Sequence, residues 1–426
     1  MYFALLSNIF PPHVRGGYEL GCQSIARALV RLGHRVVVLT SASIGQLERA
    51  PHAKDLQVSA LFEPIFEFED SLIARLSGSN SWRQRRDEAL GGVLVSNALS
   101  LARFLADSRP DVLWMFNPVG LGPIGILEAA LSQPLKCIIH LMDDVDGFVV
   151  GRRRSIFLEG RYRRLKSSIS AISCSRKILY MNEGCGGYRS HRVIYNGVDF
   201  DEIPCRRETT VRQEEPCRFV YFGQVSEAKG LLHLLRAASR TSARSFTIDI
   251  IGRPDSTFET QLHHEIATLG LRQIVNVLGF MPREELLSRL TDYDAAILLL
   301  SNTEPFGYAP LEAAAAGLPV ILTSGVGVAE CFPKDYPLLV DDRNDAADTA
   351  SKLDWCLLNR GGLRALGLRL RDDLKVHCDF DSVVMPAYLR TIQACPVGEG
   401  KFNVESLLSS YMTVKLYDQL RWAGKR

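Results

Sequence analysis

A chain of 426 residues is long enough to bury two or three separate cores, and 46% hydrophobic against 23% charged residues places it among globular rather than disordered proteins. Fifty Lys and Arg against 48 Asp and Glu leave a formal charge of +2, so no global field calls for nucleic acid. No apolar run reaches the length of a membrane span, and ten scattered cysteines without a C-x-x-C pair argue against zinc or redox motifs and for a reducing cytoplasm.

The opening "MYFALLSNIF" has no basic region ahead of its apolar stretch, so it reads as a first β-strand and not as a signal peptide. "YELGCQSIARALVRLG" places apolar residues at helical spacing and "HRVVVLTS" is a strand run, which together make a βαβ unit. Further strands are predicted at "DVLWMF" (111–116), "KCIIHL" (136–141) and "AISCS" (171–175), with helical segments between them. Region 50–90 holds Pro51, Pro64, an acidic "FEPIFEFED" and a basic "SWRQRRDE", and reads as irregular with one short strand. "VIYNGVDFDEIP" (193–204) reads as a strand broken at Asn196-Gly197, and the polar "RRETTVRQEEPC" (206–217) as the domain boundary.

A second alternation follows. Strands are predicted at "RFVYFGQV", "FTIDIIG", "IVNVLGF" and "AAILLLS", and helices at "KGLLHLLRAASR", "TFETQLHHEIATLG" and "REELLSRLTDY". The alanine-rich Pro310–Ala316 reads as a short helix ended by Gly317, and "LPVILT" as a buried strand. Helical patterns cover 344–394 and 403–422. Strands alternating with helices imply parallel sheets, so the expected fold is α/β with two facing doubly wound domains, 1–200 and 201–380, and C-terminal helices over 381–426 packing back towards the first domain. Ligands in such sheets sit at the carboxyl ends of the strands.

Four polar clusters fall at strand ends. "PPHVRGGYE" offers Gly16 and Gly17, which let backbone approach a ligand, but it is not a G-x-G-x-x-G dinucleotide fingerprint. "HLMDDVDG" sets His140 before three aspartates; these lack EF-hand spacing and a second His or Cys, so a polar contact to substrate is favoured over a metal. "FGQVSEAKG" puts Lys229 at a helix start, where a cation needs an anionic ligand to be worthwhile. In "SNTEPFGYAPLEAAAAGLPV", Glu304 before the helix and Glu312 near its first turn converge on one strand–helix mouth. Glu304 reads either as a partner of the helix start or as a ligand contact. Cations and amides with two carboxylates suit a sugar nucleotide, with donors for the diphosphate and carboxylates for hydroxyls.

"EPFGYAPLEAAAAGLPVI" resembles the E-x7-E motif of the retaining, two-domain family 4 (group 1) glycosyltransferases. "GQVSEAKG", "YNGVD" and the N-terminal βαβ stretch "PPHVRGGYELGCQSIARALVRLGHRVVVLT" are similar to further segments of that family, so the likeness runs from about Tyr2 to Val340. The resemblance implies a GT-B fold of two Rossmann-like domains, a nucleotide-diphosphate sugar as donor, no metal or other cofactor, and transfer to a saccharide or lipid-linked acceptor. It implies that Glu304, Lys229 and His140 are catalytic, with Glu304 facing the donor sugar and Lys229 holding the diphosphate. Gln224, Phe306, Gly307 and Tyr308 would line the donor, Glu312 would take the ribose hydroxyls, and Gly16 and Gly17 would close over it from the other domain. Gln224 stands where the family usually has arginine, and residues 401–426 extend past the usual closing helix. Two other readings fit the same fold: a sugar-nucleotide epimerase, hydrolase or phosphorylase, and a non-catalytic nucleotide-sugar-binding scaffold, against which the intact glutamate pair argues.

"GRRRSIFLEGRYRRLKSS" carries seven basic residues, Arg152, Arg153, Arg154, Arg161, Arg163, Arg164 and Lys166, against Glu159 alone. Leu158, Tyr162 and Leu165 share a helical face, so the segment reads either as a solvated helix packed on its sheet or as a peripheral contact with anionic membrane on the cytoplasmic side.

Overall fold

The computed structural model describes residues 1–11, 16–41, 56–63, 92–151, 156–184, 186–205, 215–242, 245–254, 256–400, 409, 411 and 412. They form two units. One is Met1–Ile194 with the described residues from Ala387 onward, and the other is Tyr195–Pro386.

In the first unit the order is β1 (Tyr2–Ser7), α1 (Gly17–Arg31), β2 (Arg35–Thr40), β3 (Gln57–Ala60), α2 (Val95–Ser108), β4 (Val112–Asn117), α3 (Pro123–Ala130), β5 (Lys136–Leu141), α4 (Ile156–Lys166), β6 (Ser170–Ser173), α5 (Arg176–Met181) and β7 (Ser190–Val193). The strands make one parallel sheet in the order β3-β2-β1-β4-β5-β6-β7. Its central strands are continuous apolar runs because both faces are covered: Phe3–Leu6 and Val112–Phe116 are wholly buried. Helix α1 buries Cys22, Ile25, Ala26 and Leu29, the stripe that its 3.6-residue period predicts.

The second unit runs β8 (Cys217–Phe222), α6 (Leu231–Arg240), β9 (Phe246–Ile251), α7 (Ser256–Thr268), β10 (Val275–Gly279), α8 (Arg283–Arg289), β11 (Ala295–Leu298), α9 (Tyr308–Ala315), β12 (Val320–Thr323), β13 (Leu339–Val340), α10 (Ala346–Leu358), α11 (Arg360–Cys378) and the start of α12 (Met385–Ala394). Its sheet, again parallel, has the order β10-β9-β8-β11-β12-β13. Both sheets therefore share a doubly wound strand order, reversing direction between β1 and β4 and between β8 and β11.

Helix α12 carries the chain back onto the first unit. Lys136 Nζ donates to the Ile392 and Gln393 carbonyls at 2.9 and 2.7 Å, a cation placed on orphan acceptors at a helix C-terminus. Tyr388, on the same helix, lies edge-on to Trp114 of β4 at 5.2 Å.

Three local readings change. The strand expected from residue 193 ends there instead, because Gly197 packs against the Cys378 carbonyl and Val384, and Val198 pairs only once, with Asp379. Asp199 then turns the chain by accepting from the Asp201 and Glu202 amides at 2.9 and 3.1 Å. Within 344–394 the helix breaks at Asn359 and at a π-turn over Phe380–Val384. The edge strand β13 has two residues, too few for a pattern to show. The acidic and basic stretches of 61–88, the polar stretch before Glu215 and the C-terminal helix over 403–422 fall almost wholly outside the described residues. Among the described residues no helix is long and apolar enough to cross a membrane.

Candidate functional site

In the second unit, the switch point lies beyond the carboxyl ends of β8 and β11, and each strand delivers one charged residue there. After β8 the chain makes a single 3-10 turn, Glu227–Lys229, and enters α6 through Gly230. Gly230 has φ +81°, and a Cβ on it would overlap the Leu299 carbonyl oxygen, so only glycine lets this helix start so close to the end of β11. That close approach carries Lys229 to the loop after β11. Its Nζ lies 2.7 Å from Glu304 Oε2, with the two side chains 25% and 22% exposed. By the family resemblance these residues would touch different parts of a ligand; the fold makes them one ion pair.

Beneath the pair sits Tyr221 of β8. Its hydroxyl donates to the Gln224 carbonyl at 2.7 Å, fixing that backbone while the Gln224 side chain stays exposed. Burial and then the nearby Glu304 carboxylate push the phenol well above its ordinary range, so it remains a neutral donor. Nothing in "RFVYF" distinguished Tyr221 from a core aromatic.

The Glu304–Glu312 loop is fixed by packing. Phe306 is buried between Tyr195, at 6.2 Å between ring centres, and the edge of Tyr308, and its carbonyl accepts from the Val328 amide at 2.9 Å. Gly307, with φ +94°, caps α9, whose first-turn amides have no acceptors within the helix. One turn in, Glu312 Oε1 accepts from Arg283 Nε at 3.1 Å and Nη2 at 2.6 Å. Burial pushes the Glu312 carboxyl up, and the guanidinium pulls it partly back. Arg283 belongs to no motif in the sequence. One signal was present: a cation at the first position of a helix opposes the helix dipole, which suggests a partner elsewhere.

In the first unit, Gly16 caps α1 and Gly17 opens it, and the Gly16 amide donates to Glu19 Oε2 at 2.8 Å. Among the described residues nothing lies within 4 Å of where a Gly16 Cβ would stand. His140 is the penultimate residue of β5 and is 1% exposed. It stacks on Phe116 and Trp114 at 5.1 and 5.9 Å and meets Tyr388 edge-on at 5.5 Å.

The acidic run after His140 is put to structural use. Asp144 accepts from the Gly147 amide, and Asp146 binds Lys166 Nζ through both oxygens at 2.9 and 2.7 Å. Lys166 is therefore a correction to the basic face: it is wholly buried and also donates to the Asn182 carbonyl. Arg161 turns inward as well, its Nε 2.5 Å from Glu128 Oε1, whereas Arg163 and Arg164 are exposed. Arg152–Arg154 lie outside the described residues. Among the described residues no group of three His, Cys, Asp or Glu could hold a metal ion.

Residues 204–372 match the family model described as glycosyl transferases group 1, and residues 15–202 the model described as glycosyltransferase family 4. Over 88% of its length the chain is 26% identical to 91% of the glycogen synthase of Mycobacterium tuberculosis. A shorter stretch, 31% of this chain and 34% of the relative, is 36% identical to the GDP-mannose:cellobiosyl-diphosphopolyprenol alpha-mannosyltransferase of Xanthomonas oryzae. Among solved structures, Anabaena HepE in complex with UDP and glucose superposes with a TM-score of 0.65 at 18% identity, covering 92% of this chain and 100% of that one.

Proposed function

Because this chain belongs to the group 1 glycosyltransferases, we propose that it transfers a sugar from a nucleotide-diphosphate sugar to an acceptor hydroxyl with retention of anomeric configuration. The observation that carries this reading is the Lys229–Glu304 pair at the switch point of the second sheet. A diphosphate arriving beside Lys229 replaces one anion with another. The lysine then neutralises the phosphate, and Glu304 turns to the hydroxyls of the sugar.

The step balances without a protein base. The bond from the anomeric carbon to the phosphate oxygen breaks, and its electron pair leaves with the nucleoside diphosphate. The acceptor oxygen bonds to the same face of the oxocarbenium-like carbon, and its proton passes to the departing phosphate oxygen. Lys229, the amides at the start of α6 and those of Gly307 and Tyr308 stabilise the charge that develops there, in place of a metal or other cofactor. Glu312 accepts from the ribose, and Gln224 and the Phe306 backbone line the donor; Gly16, Gly17 and His140 are the candidate residues that the first unit contributes to the reaction. The acceptor belongs to glycan, polysaccharide or glycolipid assembly; the Xanthomonas relative is named for a cellobiosyl-diphosphopolyprenol, a lipid-linked saccharide. Exposed Arg163 and Arg164 would bring the enzyme against an anionic cytoplasmic membrane surface.

Purified protein incubated with a panel of nucleotide sugars should release nucleoside diphosphate from one of them, with the anomeric configuration kept in the product. Release from none, or release undiminished in a Lys229→Ala, Glu304→Gln double variant, refutes the proposal.

A further inference from the structure

Arg283 and Glu312 meet in an uncommon way. A guanidinium usually grips a carboxylate with one nitrogen on each oxygen. Here Nε and Nη2 both donate to Oε1, at 3.1 and 2.6 Å, which leaves Oε2 with its acceptor capacity. The Glu312 side chain is 13% exposed and that of Arg283 60%. A pair with one partner so exposed adds little to folding. Arg283 also stands at the first position of α8, where the dipole opposes it, beside Glu284 and Glu285, which suit that position. The arrangement weakens its own helix and yields little stability, so its effect falls on Glu312. The guanidinium partly offsets the burial that pushes this carboxyl up, and both of its contacts fall on Oε1.

We propose that Arg283 is a positioning residue of the donor site: by taking up Oε1 of Glu312 it leaves Oε2 to accept from both ribose hydroxyls, and it thereby selects ribonucleotide over deoxyribonucleotide donors. This rests on the reading of Glu312 given above. A carboxylate oxygen held for two hydroxyls discriminates strongly, because a donor lacking one leaves a charged acceptor short of its partner.

Calorimetric titration of the full chain with UDP and GDP and with their 2′-deoxy counterparts tests the proposal. Wild type should bind one ribonucleotide about ten-fold tighter than its deoxy form. Arg283→Ala should lose about that ten-fold for the ribonucleotide and less than about two-fold for the deoxy form, so that discrimination disappears. Arg283→Lys, which keeps the charge but cannot place two donors on one oxygen, should fall between. Glu312→Ala should lose as much as Arg283→Ala, and the double variant no more than either. If Glu312→Ala weakens ribonucleotide binding and Arg283→Ala does not, the inference about Arg283 is wrong while the ribose contact stands. If wild type binds neither nucleotide, or Glu312→Ala changes nothing, both fall. A merely structural role for Arg283 would weaken ribo and deoxy forms equally, which also overturns the proposal.

Discussion

Lys229 and Glu304 are 75 positions apart and meet at 2.7 Å, so their substitutions should have opposite signatures. Lys229→Ala removes a charge-assisted contact worth about 1.5–3 kcal/mol, and nucleoside diphosphate affinity should drop at least about ten-fold by calorimetry. Glu304→Gln removes an anion from beside the lysine. It should leave that affinity intact or tighter while transfer is lost, and equal losses of affinity in both variants would contradict the division of roles. His140 calls for a different probe, since its imidazole is enclosed by Trp114, Phe116 and Tyr388. His140→Phe keeps a ring in that stack, so the melting temperature should barely move. Transfer should nevertheless fall about ten-fold, because phenylalanine offers the substrate no ring nitrogen to hydrogen-bond; unchanged transfer would make His140 a packing residue. These residues were legible as candidates because each follows an apolar strand run. Their partners were not, because no local period relates Lys229 to Glu304 or Glu312 to Arg283.

Helix α4 shows how far an element can be read from its own sequence. The apolar positions Tyr162 and Leu165 share one helical face, which sequence left open to either the sheet or a membrane, and Tyr162 is wholly buried. Lys166 is four residues beyond Tyr162 and so shares its face, but its partner Asp146 comes from the loop after β5, and charge counting alone put it on the outside. For membrane contact, therefore, exposed Arg164 is the residue to reverse first, because reversing Arg161 or Arg163 would also break a pair, with Glu128 or with Glu159. Co-sedimentation with anionic vesicles should weaken with salt and with Arg164→Glu, and further when Arg163→Glu is added. Equal recovery on neutral vesicles would leave these arginines as solvated side chains. The same network sets a pH response. His191, 2.6 Å from Ser173 Oγ and edge-on to Tyr188, is pushed down to about 4, first by burial and then by Lys166. Asp146 faces the same lysine, and Tyr18, Asp143 and Cys174 lie close by. Since the unfolded chain takes up this proton at a higher pH than the folded one, stability should decline as pH falls from about 6.5 towards 4. His191→Gln should flatten that part of a denaturant-midpoint profile, and an unaltered slope would assign the acid sensitivity to other groups.

At the scale of the whole molecule, two parallel sheets of the same strand order stand on separate cores, and the candidate donor residues Lys229, Glu304 and Glu312 all lie in the second. A nucleoside diphosphate at about one hundred times its dissociation constant should stabilise the fold by about 2.7 kcal/mol. Scanning calorimetry should show this as a raised transition temperature in wild type, much reduced in Lys229→Ala. An equal rise in that variant would place the nucleotide elsewhere. The sequence by itself determined the alternation of strand and helix, hence the parallel sheets, and it marked the strand ends where chemistry gathers, because burial on two faces and burial on one stripe leave local patterns of different period. It also carried the "YNGVD" segment, whose Gly197 packs on the Cys378 carbonyl. Only the tertiary structure decided that Lys229 pairs with Glu304, that Arg283 holds Glu312, that Lys166 is drawn inside and that aromatic rings enclose His140. A period reports which face of an element is covered; which side chain covers it depends on the crossing of strands far apart in the chain, and that information exists only once the sheets have formed.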